Sequence, residues 1–397
     1  MKTETAPIAS STFTKTPKTE FVSISSDMAR SESGVLGEMR QPTAAFATLG
    51  CKVNQYETQR ILDRFEERGF RITEFNQVAD VYVINTCSVT QAAERKSRQL
   101  VRRLSNQNPD AVVVMTGCYA EMARIKSEKV EDAALIVPNA DKLNTLSHFL
   151  QAYPKFEDWL KQAPTPLTHR EPHSRHERTR ATLKIQDGCN IYCSFCSIPY
   201  TRSRMRSRPL DELLKEARQL ADQGFRELVV TGVLVGSYGE ATGSGGANLA
   251  DLLAALTQIP GIERVRLSSI EPTQVTPPLL SAFAENRNIC NHLHIPLQSG
   301  DNRVLQAMNR PYDQDFYLKL CEAAYRQIPD LAITTDIIVG FPTEDLAAFE
   351  QTVKVVESVG FARAHIFRYS PRPGTPAAAF SNPVSEAKKE ARSQQIS

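Results

Sequence analysis

Two hydrophobic periodicities alternate along this chain from about residue 43 to residue 370. Short apolar runs of strand length, Ala44-Ala-Phe-Ala-Thr-Leu, Val81-Tyr-Val-Ile-Asn and Val112-Val-Val-Met-Thr, mark the first part. Between them lie helical stretches over Gln55 to Gly69, where Gly69 is a stop signal, and over Ser88 to Asn106. This order predicts a small parallel α/β sheet, with helices on its faces, over residues 42–150. A second alternation follows, with strands at Ala181 to Gln186, Glu227 to Thr231, Val265 to Ile270, His292 to Leu297, Ala332 to Val339 and Ala364 to Tyr369. Helices fit between them, including Leu210 to Gln223, Asn248 to Gln258 and Asp345 to Val359. Six strand–helix units predict a partial (β/α)6 barrel over residues 179–384, not a full eightfold one. In both architectures function collects at the C-terminal ends of the strands.

The remaining segments read differently. Residues 1–41 mix Ser, Thr, Lys and Glu without an apolar h-region, which predicts a disordered extension and excludes a secretory signal. Glu4, Glu20, Asp27, Glu32 and Glu38 argue against a plastid transit peptide. Residues 151–178 are rich in Pro, His, Arg and Glu and read as a linker, with His173 and His176 as solvent-facing positions. Residues 385–397 read as a basic helix. No run of eighteen apolar residues occurs, so the expectation is a cytoplasmic protein that spans no membrane.

The cysteines change the picture. Cys189, Cys193 and Cys196 form a Cys-x3-Cys-x2-Cys triplet directly after a short strand. Three thiolates this close can hold three corners of a 4Fe–4S cube and leave one iron open. A zinc knuckle or a disulfide cluster is the competing reading. Zinc sites usually pair two such units to reach four ligands, and no second close pair follows. Cys51, Cys87 and Cys118 close the runs Thr48-Leu-Gly-Cys, Asn85-Thr-Cys and Thr116-Gly-Cys, each at the C-terminal edge of a predicted strand. Parallel strands would bring these three together as a second candidate cluster site. Taken singly, each could be a small buried hydrophobe, as Cys290 and Cys321 are read to be.

Polar and glycine-bearing strand ends complete the candidates. Gly232 would let backbone approach a bound group. Ser268, Ser269, Glu271, His294, Gln298, Ser299 and Asp336 follow or end the later strands. Net charge is only +2, but residues 164–209 hold nine basic side chains against three acidic ones. Within that stretch Arg202, Arg204, Arg206 and Arg208 alternate just beyond Cys196. They read as a grip on RNA phosphate, or as a solvated charged loop.

With both triplets in hand, the chain resembles the methylthiotransferases of the radical S-adenosylmethionine (SAM) superfamily. Phe195 just before the last cysteine fits that signature. So do His294-Ile-Pro-Leu-Gln-Ser-Gly, Asp336-Ile-Ile-Val-Gly-Phe-Pro-Thr-Glu and Ser370-Pro-Arg-Pro-Gly-Thr-Pro-Ala. Thr48-Leu-Gly-Cys-Lys-Val-Asn-Gln-Tyr-Glu-Thr is similar to the form in the branch acting on N6-threonylcarbamoyladenosine in tRNA. The Gln-Met-Asn form of the isopentenyladenosine branch is absent. The resemblance implies two 4Fe–4S clusters, one on Cys189, Cys193 and Cys196 that cleaves SAM, and an auxiliary one on Cys51, Cys87 and Cys118 that carries sulfur. One SAM methylates that sulfur, and a second supplies the radical that takes hydrogen from C2 of the adenosine beside the anticodon. SAM contacts are then expected from Phe195, Gly232, Ser269, Glu271, His294, Gln298 and Asp336. The implied partners are the tRNA anticodon stem-loop, an electron donor such as flavodoxin or ferredoxin, and an unspecified sulfur donor. Family members usually continue into a small C-terminal β-barrel, the TRAM domain, which is expected to be missing here. The alternatives are the isopentenyladenosine enzyme, the version acting on a ribosomal-protein aspartate, and a non-catalytic iron–sulfur RNA-binding protein.

Overall fold

The alternation in the first half folds as a sheet buried on both faces. Strands β1 (Thr43–Thr48), β2 (Arg71–Ile72), β3 (Val81–Thr86), β4 (Val112–Gly117) and β5 (Leu135–Ile136) lie in the order β2-β1-β3-β4-β5. Every pairing is parallel. Ala44, Val81, Val83, Val112 and Val114 join Ile61 and Phe65 of helix α1 (Lys52–Arg68) in one core. Their neighbours Ala45, Tyr82, Ile84, Val113 and Met115 join a second core with Val101 and Leu104 of α2 (Gln91–Gln107) and Tyr119 of α3 (Cys118–Ile125). A period of two therefore feeds two cores from one set of strands.

The structure is a computed structural model that describes residues 41–162, 179–240, 246–381 and 384–396. The predicted N-terminal extension up to residue 40, His173 and His176 fall outside the described residues. Two helix starts differ from expectation. Helix α1 begins at Lys52, three residues before Gln55, because Cys51 takes the extended N-cap position. Helix α2 begins at Gln91, not near Ser88, because the Thr90 hydroxyl accepts from the Ala93 N–H at 3.0 Å. The predicted linker also starts too early. Helices α4 (Thr145–Ala152) and α5 (Lys155–Gln162) deliver Phe149, Phe156 and Leu160 into the first core, so the first domain runs to at least Gln162.

In the second half, β6 (Ala181–Lys184) is followed by the short β7 (Gln186–Asp187), α6 (Ile198–Thr201) and β8 (Arg206–Ser207). The later strands are β9 (Glu227–Thr231), β10 (Arg264–Leu267), β11 (His292–His294), β12 (Ala332–Val339) and β13 (Arg363–Arg368). They form two parallel sheets, β10-β9-β6 and β11-β12-β13. Parallel bridges Val265 to Ile289 and Ser269 to His294 join the sheets into a six-stranded open barrel, as expected. Helices α7 (Leu210–Asp222), α8 (Leu249–Thr257), α9 (Pro277–Glu285), α11 (Gln314–Gln327) and α12 (Leu346–Val359) share one continuous core with these strands, and the short α10 (Asn302–Ala307) precedes α11. Helices α9 and α11 were not singled out in the sequence. Their starts are fixed by caps, Thr276 to the Leu279 N–H and Asp313 to the Phe316 N–H. Both halves belong to one compact unit.

The final helix α13 (Glu386–Ile396) docks through buried charge. Lys389 Nζ donates to the Tyr369 carbonyl at 3.0 Å, and Arg392 pairs with the buried Glu344. Arg392→Ala leaves that carboxylate buried and unpaired, at an expected cost of about 3 kcal/mol in urea unfolding of the iron-free protein. Arg326→Ala removes an exposed pair with Glu322 and is expected to cost no more than about 0.5 kcal/mol.

Candidate functional site

In the order β2-β1-β3 the chain leaves β1 in one direction and returns on its other side. A crevice opens at the carboxyl ends of strands at such a reversal. Cys51 stands there after β1, Cys87 after β3, and Cys118 opens α3 after β4. All three line one cavity of about 710 Å3. Close approach depends on the glycines before two of them. Gly50 has φ +102°, and a Cβ there would sit 2.6 Å from Cys87 Sγ. Gly117 has φ +97°, and a Cβ there would sit 2.4 Å from the Thr86 carbonyl. Burial pushes the Cys87 thiol up to about 11, against the pull of the Val89 N–H that donates to its sulfur at 3.3 Å. A thiol in such surroundings ionises when a metal takes up its charge.

The second triplet sits on a clamped loop. Strands β7 and β8 pair antiparallel, Gln186 with Ser207 and Asp187 with Arg206, and close the base of residues 188–205. Within the loop the Cys189 N–H donates to the Arg202 carbonyl at 3.2 Å, and the Cys196 N–H to the Cys193 carbonyl at 2.9 Å. Burial raises the thiols of Cys189 and Cys193, and that of Cys196 to about 12. The sulfurs also accept hydrogen bonds: Cys196 from the Ile198 N–H at 3.4 Å, and Cys193 from Arg310 Nη1 at 2.9 Å. Phe195 is half-buried and meets Phe341 edge to face.

Arg310 joins the candidate residues here, although the sequence does not single it out. Its other terminal nitrogen holds both carboxylate oxygens of Glu271, at 2.7 and 2.5 Å. Glu271, expected among the SAM contacts, is buried and engaged by this guanidinium. Nothing in the local run Met308-Asn-Arg-Pro marks Arg310 out. Only the fold brings it to Cys193.

Between the triplets lies a buried knot of charge. Glu57 of α1 accepts from Lys184 Nζ at 2.6 Å, from both Arg202 terminal nitrogens at 3.0 and 2.9 Å, and from Lys142. Burial alone would raise the Glu57 pKa. The charges of Arg202, Lys142 and Lys184 overwhelm that and hold the carboxyl well below the usual range. Arg202 also reaches Asp187 Oδ1 at 2.8 Å, Asn54 Oδ1 at 2.9 Å and Cys118 Sγ at 3.4 Å. The expected arginine grip on RNA is corrected here. Arg202 is buried inside the protein, and Arg208 is half-buried against Glu216 and Tyr56. Arg204 and Arg206 remain exposed.

Gly232, Ser268, Ser269, His294 and Asp336 line the same cavity as Cys51, Cys87 and Cys118. His294 is fixed between Thr334 Oγ1 at 2.9 Å and Asp336 Oδ1 at 3.2 Å. His292 shares the Thr334 hydroxyl at 3.0 Å. Its pKa is lowered by burial and by the nearby charges of Arg266, His294 and Lys52, which keeps the ring neutral. Gln298 and Ser299 are not among the cavity-lining residues. Gln298 adopts φ +63° and its N–H donates to the Asp336 carbonyl, while Ser299 is buried beside Thr352. Cys321 is a core residue as expected, and Cys290 is half-buried.

The thiols suit iron–sulfur cubes in donor type, since such clusters are held by thiolates. Among the described residues no three His, Cys, Asp or Glu side chains are gathered to hold one metal ion. A cube presents its irons at separate corners, so its thiolates face a common space without meeting at a point. N–H···S bonds of the kind seen at Cys87, Cys196 and Cys193 are a usual means of tuning such clusters.

Comparison with known proteins follows the same two halves. The Radical SAM superfamily matches residues 183–356, and the uncharacterized protein family UPF0004 matches residues 43–137. The threonylcarbamoyladenosine tRNA methylthiotransferase MtaB of Bacillus subtilis is 41% identical over 356 residues, covering 88% of this chain and 78% of that protein. Its namesake in Thermotoga maritima is 37% identical, over 88% and 80% of the two chains. The tRNA-2-methylthio-N(6)-dimethylallyladenosine synthase of Carboxydothermus hydrogenoformans is 35% identical, over 90% and 83%. Among solved structures, the radical SAM methyltransferase TsrM of Kitasatospora setae superposes with a TM-score of 0.61 at 13% identity, over 85% and 75%, a likeness of fold.

The buried ion cluster offers a direct test of how the site is held. Glu57→Gln leaves Lys142 without a carboxylate and Lys184 and Arg202 with Asp187 alone, and is expected to cost about 3–5 kcal/mol in urea unfolding of the iron-free protein. Because the folded carboxyl lies below its unfolded value of about 4.3, its stabilisation is fully present above that value and is lost as pH falls. Wild-type stability should therefore fall more steeply with acidification than that of Glu57→Gln.

Proposed function

The chain belongs to the radical SAM methylthiotransferase family, and from that premise we propose that it installs a 2-methylthio group on N6-threonylcarbamoyladenosine beside the anticodon of tRNA. The observation that supports this most is the pairing of two cysteine triplets through one buried arginine. Arg202 touches Cys118 Sγ with its guanidinium and accepts from the Cys189 N–H with its carbonyl. Methylthiolation of an unactivated aromatic C–H calls for a radical source and a separate store of sulfur held in a fixed relation to it.

On this reading Cys189, Cys193 and Cys196 hold the cluster that binds SAM, and Cys51, Cys87 and Cys118 hold the auxiliary cluster. When bound, these groups supply a substrate radical and a transferable sulfur; the protein positions them and excludes solvent. Arg310, donating to Cys193 Sγ, stabilises added negative charge on that cluster. Gly232 and Ser269 line the cavity as contacts for SAM, and Phe195 packs beside its cluster loop. His294 and Asp336 present a preset hydrogen-bonding pair to the cavity. Arg204 and Arg206 remain as exposed contacts for tRNA phosphate.

The substrate assignment rests on two supports. Four relatives named for threonylcarbamoyladenosine share 37–41% identity with the chain, and four named for dimethylallyladenosine share 33–35%. The chain also carries Lys52-Val-Asn after Cys51, the form of the threonylcarbamoyl branch. Among the described residues no helix is long and apolar enough to cross a membrane. A cytoplasmic setting, with a flavodoxin or ferredoxin as reductant, completes the proposal.

Mass spectrometry of tRNA nucleosides from a strain lacking this gene, with and without the chain restored, tests the reading. The expected result is 2-methylthio-N6-threonylcarbamoyladenosine on restoration. If 2-methylthio-isopentenyladenosine forms instead, the substrate assignment is wrong. Cys87→Ala is expected to keep reductive cleavage of SAM to 5′-deoxyadenosine while losing the methylthio product. Unchanged product would overturn the auxiliary role of Cys87.

A further inference from the structure

The cavity that holds Cys51, Cys87 and Cys118 is strongly cationic. Lys52, Arg180, Arg202, Arg266 and Arg363 line it against a single carboxylate, Asp336. Most of these charges are already answered. Arg202 is held by Glu57 and Asp187, and the Asp336 carboxylate lies 3.2 Å from His294 Nε2. Arg180 and Arg266 share Glu227, at 3.8 and 2.7 Å. Lys52 and Arg363 have no acidic partner among the described residues. Lys52 comes from the first half, at the first position of α1, where the helix dipole disfavours a cation. Arg363 comes from the start of β13 on the far side of the barrel sheet. Two unanswered cations from opposite ends of the fold thus face one cavity at the auxiliary cysteines.

We infer that Lys52 and Arg363, with Arg266 behind them, form a carboxylate-reading subsite that takes the threonyl carboxylate of the modified adenosine. The inference rests on the proposed function and deepens it. C2 and C6, the carbon that carries the N6 substituent, flank N1 in the same six-membered ring. A base held with C2 toward the auxiliary cysteines therefore keeps its N6 arm inside this cavity. A threonylcarbamoyl arm ends in a carboxylate, and an isopentenyl arm carries no charge. Unanswered cations in a partly enclosed space favour the first and are left unsatisfied by the second. A phosphate of a neighbouring nucleotide would satisfy the same charges, and the test separates the two sources.

The experiment measures binding of the full chain, with both clusters reconstituted, to three anticodon stem-loop RNAs. One carries threonylcarbamoyladenosine, one its threonine amide, and one plain adenosine. The carboxylate RNA is expected to bind roughly tenfold tighter than the amide, the worth of one charged hydrogen bond. Lys52→Gln and Arg363→Gln should each shrink that ratio toward one while leaving binding of plain adenosine RNA unchanged, and Lys52→Arg should keep it. Cluster absorbance confirms that each variant is loaded and folded. A wild type that does not distinguish acid from amide overturns the inference, as does a ratio that survives both glutamine variants. Equal weakening on all three RNAs assigns the cations to backbone phosphate and likewise overturns it. If tRNA is methylthiolated but the ratio is absent, only the subsite fails. Failure to form any methylthio product on threonylcarbamoyl tRNA counts against the function itself.

Discussion

One buried carboxylate, Glu57, sets the relation between the two halves of this protein. It leaves α1 of the first half and accepts from Lys142 of its own half and from Lys184 and Arg202 of the barrel half. Removing four charged groups from water is costly, and the Coulomb attraction recovers that cost only when geometry and remaining hydrogen bonds are complete. Here they are nearly so, since Asp187 and Asn54 take up further donors of Lys184 and Arg202. A knot of this kind adds little net stability over an apolar contact of equal volume. It does penalise misplacement, because any shift of one half against the other strands a charge in a medium that cannot solvate it. Register between the cysteine triplets is thereby fixed electrostatically, where apolar packing would tolerate sliding.

The candidate cluster cysteines are brought together by position more than by reactivity. Strand order places three turns at one crevice, and glycines at positions 50 and 117 let those turns touch. The second triplet needs no sheet crossover, because a two-residue antiparallel clamp holds its loop in shape. One set is assembled by topology, the other by sequence proximity. Arg202 belongs to the second loop and reaches the first set, so the two are not independent.

Much of this was legible in the sequence, and what was not has physical reasons. Strand positions such as Glu227–Thr231 and Ala332–Val339 were read to the residue, because apolar runs between clear turn signals leave little freedom. The convergence of Cys51, Cys87 and Cys118 on one cavity was legible from strand ends, and the closeness of Cys189, Cys193 and Cys196 from their spacing. The arginines were misread because local charge density says nothing of burial. Arg202, placed in an RNA-gripping loop by its neighbours, is enclosed by acids 15 and 145 residues away in sequence. Arg310 escaped notice for the converse reason, since a lone arginine beside proline carries no pattern. Helices α4 and α5 were hidden by the Pro- and charge-rich composition that follows them, while their aromatic residues pack into the first core.

The burial of the thiols has a consequence for how the protein matures. Cys87 and Cys118 are 2% and 3% exposed, and their cavity is walled on the far side by barrel residues such as His292 and Arg363. Cys51 lines the same cavity and is exposed, so the folded chain can be loaded from that side. Each thiol that takes iron gives up its proton, and burial sets Cys87 against that loss. Loading of the folded protein is therefore coupled to proton release, a dependence on pH built into where the fold hides its sulfur.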